Sequence, residues 1–392
     1  MKVLVTGGGT GGHVYPALCV LNRLKEKVSE AEILYVGKAG SLEEKLATES
    51  GYSFRSIEAR GLTRKISFDF FKSAVSNLKG FFQSLSILRE FSPDVIFATG
   101  GYVAFPVLLA AVFLRRPFFL HEQNAVAGLT NRIFSRFAES VALSFPETRG
   151  IKSNRTKFTG NPVREEIFKA RKEEAIEFFG LKEDLKTLLV MGGSQGSVKL
   201  NEALIKSLPA FARFRPIQII HLTGEANFEE VKKEFEEKKE QLNFPDDLVY
   251  CPFPYLEEIG LAYAAADLVL CRAGATTISE LMALGKPAIL VPYPWATDNH
   301  QEENARAVER RGAGRVILEK DLTPIVLFEE VKRVIYNETA LRLMGQRARW
   351  LSRKEADRAI VEIILSLKQA SEILQSATEE TEETEEWEWL TR

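Results

Sequence analysis

A strand, a glycine-rich turn and a helix recur in that order along the chain, and this repeated grammar limits the fold more than any other feature. KVLVTGGGTGGH (residues 2–13) opens the set, DVIFATGGYVAFP (94–106) repeats it, TLLVMGGSQGS (187–197) starts it again and DLVLCRAGATTISE (267–280) closes it. The strands are continuous apolar runs, not alternating ones, so they should be buried on both faces, as in a parallel sheet covered by helices. The predicted fold class is α/β. TLLVMGG resembles KVLVTGG and stands near the middle of 392 residues, a length suited to two cores. Two doubly wound domains are therefore expected, with ligand in a cleft at the carboxyl ends of their strands.

Gly160-Asn161-Pro162 should break any regular element before a charged helix predicted over residues 165–179, which puts the linker at 161–164. The expected division is 1–160, 161–340, a helical segment 341–370 and a tail 371–392. That tail carries seven glutamates between residues 379 and 388 and reads as disordered. Lys+Arg 52 against Asp+Glu 54 leaves a net charge of -2, so no global field argues for nucleic acid. Cys19, Cys251 and Cys271 lack metal-ligand spacing and fit a reducing interior, each as a small buried hydrophobe. The first residues run into a strand with no export signal, so secretion by that route is not expected. The apolar stretch Tyr102 to Leu114 has 13 residues, short of the roughly 20 needed to cross a bilayer.

Gly7, Gly9 and Gly12 satisfy G-x-G-x-x-G, which alone would suggest a dinucleotide cofactor and a nicotinamide-dependent oxidoreductase. That fingerprint also needs an acidic residue about 20 positions on, at the end of the next strand. EILYVGKAG (32–40) ends at Gly37-Lys38 instead. Glycines before a helix still favour anionic or electron-rich ligands, because backbone N–H groups and the positive end of the helix dipole are accessible. A tight turn without ligand is the bland alternative. His13, where the first loop meets its helix, is a candidate proton acceptor, although a lone histidine is more often structural. HEQNAVAGLTNR (121–132) sets Glu122, Gln123 and Asn124 together after a strand, a group suited to reading hydroxyls or to capping a loop. CRAGATTISE offers Gly274, Ala275, Thr276 and Thr277 to a diphosphate and Glu280 to a ribose, or to the helix dipole. PWATDNHQEENA (294–305) adds Asp298, Asn299, His300 and Gln301 as a sugar reader or a helix cap.

GGGTGGHVYPA, GGYVAFP, HEQNAVAGLTN, GNPVR, GGSQGS, CRAGATTISE and HQEEN, in this order, resemble the MurG family of bacterial N-acetylglucosaminyltransferases over roughly residues 1–365. The resemblance implies a GT-B fold of two Rossmann-like domains and transfer of N-acetylglucosamine from UDP-N-acetylglucosamine to the muramyl 4-hydroxyl of the undecaprenyl-linked lipid I, giving lipid II. It implies that the N-terminal half binds the acceptor and the cytoplasmic face of the membrane, and that the C-terminal half holds the donor. By position, Thr10, Gly11 and Gly12 would face the donor's sugar and diphosphate, and Asn124 the sugar. Arg164 and Ser194 would serve the diphosphate, and Leu256 the uracil through its backbone. Ala275, Thr276, Thr277, Ile278, Ser279 and Glu280 would bind the phosphates and ribose, and Gln301 the sugar hydroxyls. Ala125 stands where many relatives have glycine, Thr276 where leucine is frequent and His300 where some have glutamine. Another GT-B enzyme, a diacylglycerol glycosyltransferase or a UDP-sugar epimerase, shares the architecture.

Inversion at the anomeric centre requires a base for the acceptor hydroxyl and positive electrostatics for the departing UDP. His13 is the first choice of base and Glu122 the second. Helix N-termini with Arg164 suffice for the leaving group, and no Asp-x-Asp clasp occurs in these loops, so neither metal nor cofactor is expected. In residues 66–91, Phe71, Val75, Leu78, Phe82 and Leu85 share one helical face and read as core. Phe68, Phe70 and Phe81 lie outside it and, near Lys72, Lys79 and Arg115-Arg116, read as candidates for insertion among anionic headgroups.

Overall fold

The apolar runs become the inner strands of two parallel sheets. The computed structural model describes residues 1–61, 68–193, 195–214, 216–242, 244–245 and 248–370. Ser194, the side chain of Phe68 and the acidic tail lie outside the described residues. In the first unit β1 (Lys2–Gly7), β2 (Glu32–Gly37), β3 (Ser53–Ser56), β4 (Val95–Gly100), β5 (Phe118–Glu122), β6 (Ser140–Leu143) and β7 (Thr156–Phe158) pair in the order β3-β2-β1-β4-β5-β6-β7, all parallel. In the second, β8 (Thr187–Met191), β9 (Ile217–Leu222), β10 (Leu248–Phe253), β11 (Leu268–Cys271), β12 (Ala288–Leu290) and β13 (Gly314–Val316) pair in the order β10-β9-β8-β11-β12-β13, again all parallel. Strand order reverses between β1 and β4 and between β8 and β11, the places where an open α/β sheet leaves a crevice for ligand.

Helices α1 (Gly11–Lys27), α2 (Leu42–Glu49), α3 (Phe68–Phe91), α4 (Ala104–Phe113) and α5 (Leu129–Phe134) follow strands of the first sheet. The second unit has α6 (Lys172–Phe179), α7 (Val198–Phe214), α8 (Phe228–Leu242), α9 (Ile259–Ala265), α10 (Ala275–Leu284), α11 (His300–Arg310), α12 (Pro324–Ile335) and α13 (Glu338–Leu351). A last helix, α14, spans 356–370. Alternate residues of one strand reach opposite faces, so both faces of the first sheet are apolar. Val3, Val5, Tyr35 and Phe97 pack with α1 and with Ile360, Val361 and Ile364 of α14. Leu4, Val36, Ile96 and Leu120 pack with α3 and α4 through Leu85, Leu88, Val107 and Leu108.

The chain divides into Met1–Pro162 together with the residues from Glu355, and Val163–Lys354. The helices after residue 340 are thus shared out: α13 sends Leu341 and Met344 into the second core, whereas α14 covers a face of the first. The charged helix expected over 165–179 is also two pieces, a 3-10 turn Glu165–Phe168 that buries Ile167 and then α6, which buries Ala175 and Phe179. Of the cysteines, Cys271 is buried and the other two are half-buried.

Helix α3 reverses the expectation from its apolar stripe. Phe71, Val75, Leu78 and Phe82 are 57–61% exposed, and of that set Leu85 alone is buried, while Phe81 packs at the edge of the core. Over residues 73–80 the inward face is made instead of small and polar residues with definite partners, before Leu85, Ile87 and Leu88 enter the core. Asn77 exchanges hydrogen bonds with the Arg60 backbone (3.1 and 2.9 Å) and Ser73 donates to Gly61 O (3.1 Å). A Cβ on Gly80 would lie 1.9 Å from Glu58 O, so only glycine lets the chain come this close. Over this stretch backbone pairing and close approach, not apolar area, select the buried face.

Candidate active site

The glycine loops divide into two kinds by what surrounds them. Gly101, at φ 81°, would put a Cβ 2.3 Å from Gly8 O, so the loops after β1 and β4 are packed backbone against backbone, with Gly8 N–H donating to Gly100 O (3.3 Å). Gly8 itself is filled by protein: the Glu43 carboxylate lies within 2.5–2.8 Å of its notional Cβ. Gly12, Gly193 and Gly274 are different, since a Cβ there meets nothing closer than 3.6 Å. Gly12 and Gly274 stand at the starts of α1 and α10, where N–H groups point along a helix axis, and Gly193 lies in the loop after β8.

Thr10 occupies the cap position of α1 with extended backbone and no side-chain cap, and no acidic residue lies in the first turn. The amide end of α1 at Gly11 and Gly12 therefore keeps its positive character. His13, the third residue of that helix, is clasped from β4: Thr99 Oγ1 donates to His13 O (2.9 Å), and His13 Nδ1 lies 2.8 Å from Thr99 O and 3.0 Å from Gln123 Oε1. Both partners are acceptors, so Nδ1 carries a proton, and in the neutral ring Nε2 carries the lone pair.

Glu122, the last residue of β5, is buried. Its Oε1 accepts from Asn124 N–H (2.9 Å) and Asn124 Nδ2 (3.2 Å), and its Oε2 accepts from Gly128 N–H (3.1 Å) and Asn131 Nδ2 (2.8 Å). Four donors fill its acceptor positions and tie the loop to the strand. Asn124 is also held through its carbonyl by Thr148 Oγ1 (3.2 Å).

In the second unit Gly274 caps α10, whose first turn holds no acidic side chain. Ala275, Thr276 and Thr277 form that first turn, and the Thr276 hydroxyl is buried with no hydrogen-bond partner among the described residues. Ile278 is buried and its N–H donates to Gly274 O (2.9 Å), while Ser279 Oγ donates to Ala275 O (2.8 Å), so neither presents a donor outward. Glu280 is buried one turn further on. Arg164 donates to its Oε1 from Nε (3.2 Å) and Nη2 (2.8 Å), and Tyr263 OH donates to Oε2 (2.9 Å). Burial, then the neighbouring carboxylate, raises the Tyr263 phenol well above its ordinary range, which keeps it a donor; the same two causes push the Cys271 thiol up to about 12. Gln301, second in α11, accepts from Tyr293 N–H (2.9 Å), and Leu256 lies in the loop after β10.

Several residues that matter here were not singled out from the sequence. Arg272 joins three loops at this edge: it donates to Ser197 Oγ (2.7 Å), to Val291 O (3.2 Å) and to the Glu319 carboxylate. Tyr263 and Thr99 act through hydroxyl and backbone groups that no spacing reveals. Glu43, also buried, arrives from α2 beneath the first loop and accepts from Gly9 N–H (3.3 Å). That carboxylate occupies the Gly9 amide and ties the loop to α2. Among the described residues no group of three or more His, Cys, Asp or Glu side chains is placed to hold a metal ion.

The N-terminal domain of glycosyltransferase family 28 matches residues 3–143 and its C-terminal domain residues 187–363. A protein of Desulforamulus reducens named UDP-N-acetylglucosamine--N-acetylmuramyl-(pentapeptide) pyrophosphoryl-undecaprenol N-acetylglucosamine transferase is 41% identical over 367 residues, 93% of this chain and 98% of its own. A protein of the same name from Caldanaerobacter subterraneus is 40% identical over 369 residues, 94% of this chain and 100% of its own. The crystal structure of Acinetobacter baumannii MurG superposes with a TM-score of 0.75 at 30% identity, covering 93% of this chain and 99% of that one. A UDP-GlcNAc 2-epimerase from Neisseria meningitidis shares the fold at 14% identity and a TM-score of 0.68, covering 93% of this chain and 100% of that one. With both family domains in register and identity of about two residues in five along nearly the whole length, the chain belongs to the MurG family of glycosyltransferase family 28, the N-acetylglucosaminyltransferases of the GT-B fold.

Proposed function

We propose that this chain transfers N-acetylglucosamine from UDP-N-acetylglucosamine to the 4-hydroxyl of the muramyl sugar of lipid I, with inversion, and that His13 is the base. The observation that carries the assignment is the pair of acceptors on His13 Nδ1, which makes Nε2 the basic nitrogen at the open N-terminus of α1. The acceptor oxygen attacks the anomeric carbon as its proton passes to Nε2 and the bond to the UDP oxygen breaks. Glu122, saturated by four N–H groups, holds the loop that presents Asn124 to the sugar.

The donor's diphosphate is read by the start of α10, where the first-turn amides of Ala275, Thr276 and Thr277 meet phosphate oxygens, assisted by Arg164 and by Ser194 after β8. Glu280 takes the ribose hydroxyls; its orientation is held by Tyr263 and Arg164. Leu256 serves the uracil, Gln301 the sugar, and Thr10, Gly11 and Gly12 the donor's sugar and diphosphate. Helix amides and a guanidinium supply the positive charge that departing UDP requires.

The same reading places the chain on the cytoplasmic face of the membrane. Among the described residues no helix is long and apolar enough to cross a bilayer. Phe71, Val75, Leu78 and Phe82 of α3 are exposed together with Leu109 and Phe113 of α4, and the rings of Phe82 and Phe113 both pack against Phe81. Lys72, Lys79, Arg115 and Arg116 stand on or beside these helices, a combination suited to an anionic lipid surface.

Turnover of UDP-N-acetylglucosamine with a soluble lipid I analogue tests the activity. His13→Ala should lower kcat by about 100-fold or more with donor affinity nearly unchanged; near-normal turnover in that variant overturns the base assignment.

A further inference from the structure

We propose that Gln123 and His121 are positioning residues that set the tautomer of His13 through a buried chain of hydrogen bonds ending on the backbone carbonyl of Gly160. The proposal rests on the reading of His13 as base and adds to it the reason the required nitrogen is the unprotonated one.

The chain is read from its fixed end. Gly160 O can only accept, and His121 Nε2 lies 3.1 Å from it, so Nε2 carries the proton; Ser144 Oγ shares that nitrogen at 3.1 Å. His121 is wholly buried, and burial lowers its pKa to about 4 despite the Gly160 hydrogen bond, so the ring is neutral and has one proton to place. Its Nδ1 is therefore an acceptor. Gln123 Nε2 lies 3.1 Å from that Nδ1 and 3.2 Å from His121 O, two acceptors, which fixes the amide's nitrogen on this side. The amide oxygen consequently faces the other way and lies 3.0 Å from His13 Nδ1. With Thr99 O at 2.8 Å on the same nitrogen, two oxygens on that side of His13 demand a donor. The opposite tautomer would set lone pairs against two carbonyl oxygens.

Gln123 thus does for His13 what a carboxylate does in an acid-histidine pair, but as a neutral group. It orients the ring and favours the Nδ1–H form, and when Nε2 takes the acceptor's proton the Nδ1–H remains hydrogen-bonded to two oxygens. Because the amide carries no charge, the imidazolium is stabilised only modestly and can return the proton to solvent. Gln123 and His121 are 1% and 0% exposed, so this chain lies out of contact with water.

The test is ¹⁵N NMR of the histidine rings in the unmodified chain at neutral pH, joined to kinetics of Gln123→Met, which keeps the volume and removes all three side-chain hydrogen bonds. The expected spectrum shows His13 as Nδ1–H and His121 as Nε2–H. Gln123→Met should add the other His13 tautomer and lower kcat on the order of tenfold, with the donor KM unchanged. His13 found as Nε2–H in the unmodified chain overturns the proposal without any variant having to fold. Normal kcat in Gln123→Met, with His13→Ala inactive, also overturns it while leaving the base in place. Normal turnover in His13→Ala removes the base reading instead, whatever the tautomer.

Discussion

Glu122→Gln separates a catalytic carboxylate from one that holds the fold. The two side chains are nearly isosteric, yet glutamine puts an NH2 group where one carboxylate oxygen stood. Each oxygen of Glu122 accepts two N–H groups, from Asn124 on one side and from Gly128 and Asn131 on the other. Whichever way the amide turns, two donors meet a donor. Hydrogen bonds to a charged partner contribute about 1.5–3 kcal/mol each, so losing two costs about 3–6 kcal/mol. That is a large part of the roughly 5–15 kcal/mol that stabilises a domain. Urea unfolding followed by circular dichroism should show the midpoint falling, and the loss of activity should follow the loss of structure in the 122–131 loop. If stability stays within about 1 kcal/mol while kcat falls about 100-fold, Glu122 is the base and the reasoning above is wrong.

Two further outcomes follow from burial. In the native chain His121 and His221 take up protons only below about 4 and about 3, each because burial disfavours the charged ring. An unfolded imidazole binds its proton from about pH 6.5. Between these values the unfolded state holds more protons, so stability is complete above pH 6.5 and declines as pH falls, by about 2 kcal/mol for each ring at pH 5. NMR titration showing either ring charging above pH 6 refutes this. On α3, Phe71→Ser with Phe82→Ser should weaken flotation with anionic liposomes and leave thermal stability unchanged, whereas Phe81→Ser should lower stability, since Phe81 alone of the three packs at the core. Unimpaired flotation of the double variant removes α3 from the membrane surface.

The strand, glycine and helix pattern was readable because it records local needs. A strand buried on both faces must be apolar throughout, and a loop whose backbone is approached closely must be glycine. The same holds for the N-termini of α1 and α10 and for the residues around them, including His13 and Glu280, which stand after strands that the pattern located. The division between Pro162 and Val163 falls within GNPVR.

What the sequence by itself determined, then, is the α/β class, the two-part layout and the family, because these depend on the spacing of residue types along the chain. Only the tertiary structure decided how each candidate is used. Glu122 and Glu280 look equally available in the sequence, but one is enclosed by four N–H donors and the other is shared between a guanidinium and a phenol. The buried face of α3 went to Ser73, Asn77 and Gly80 over four larger apolar residues, since Gly61, Glu58 and Arg60 come close enough to need small partners and hydrogen bonds. Helix α14 returned to the first unit because that sheet had an apolar face to cover. Periodicity reports what a side chain is; which neighbours satisfy its donors, acceptors and volume depends on residues far away in the chain.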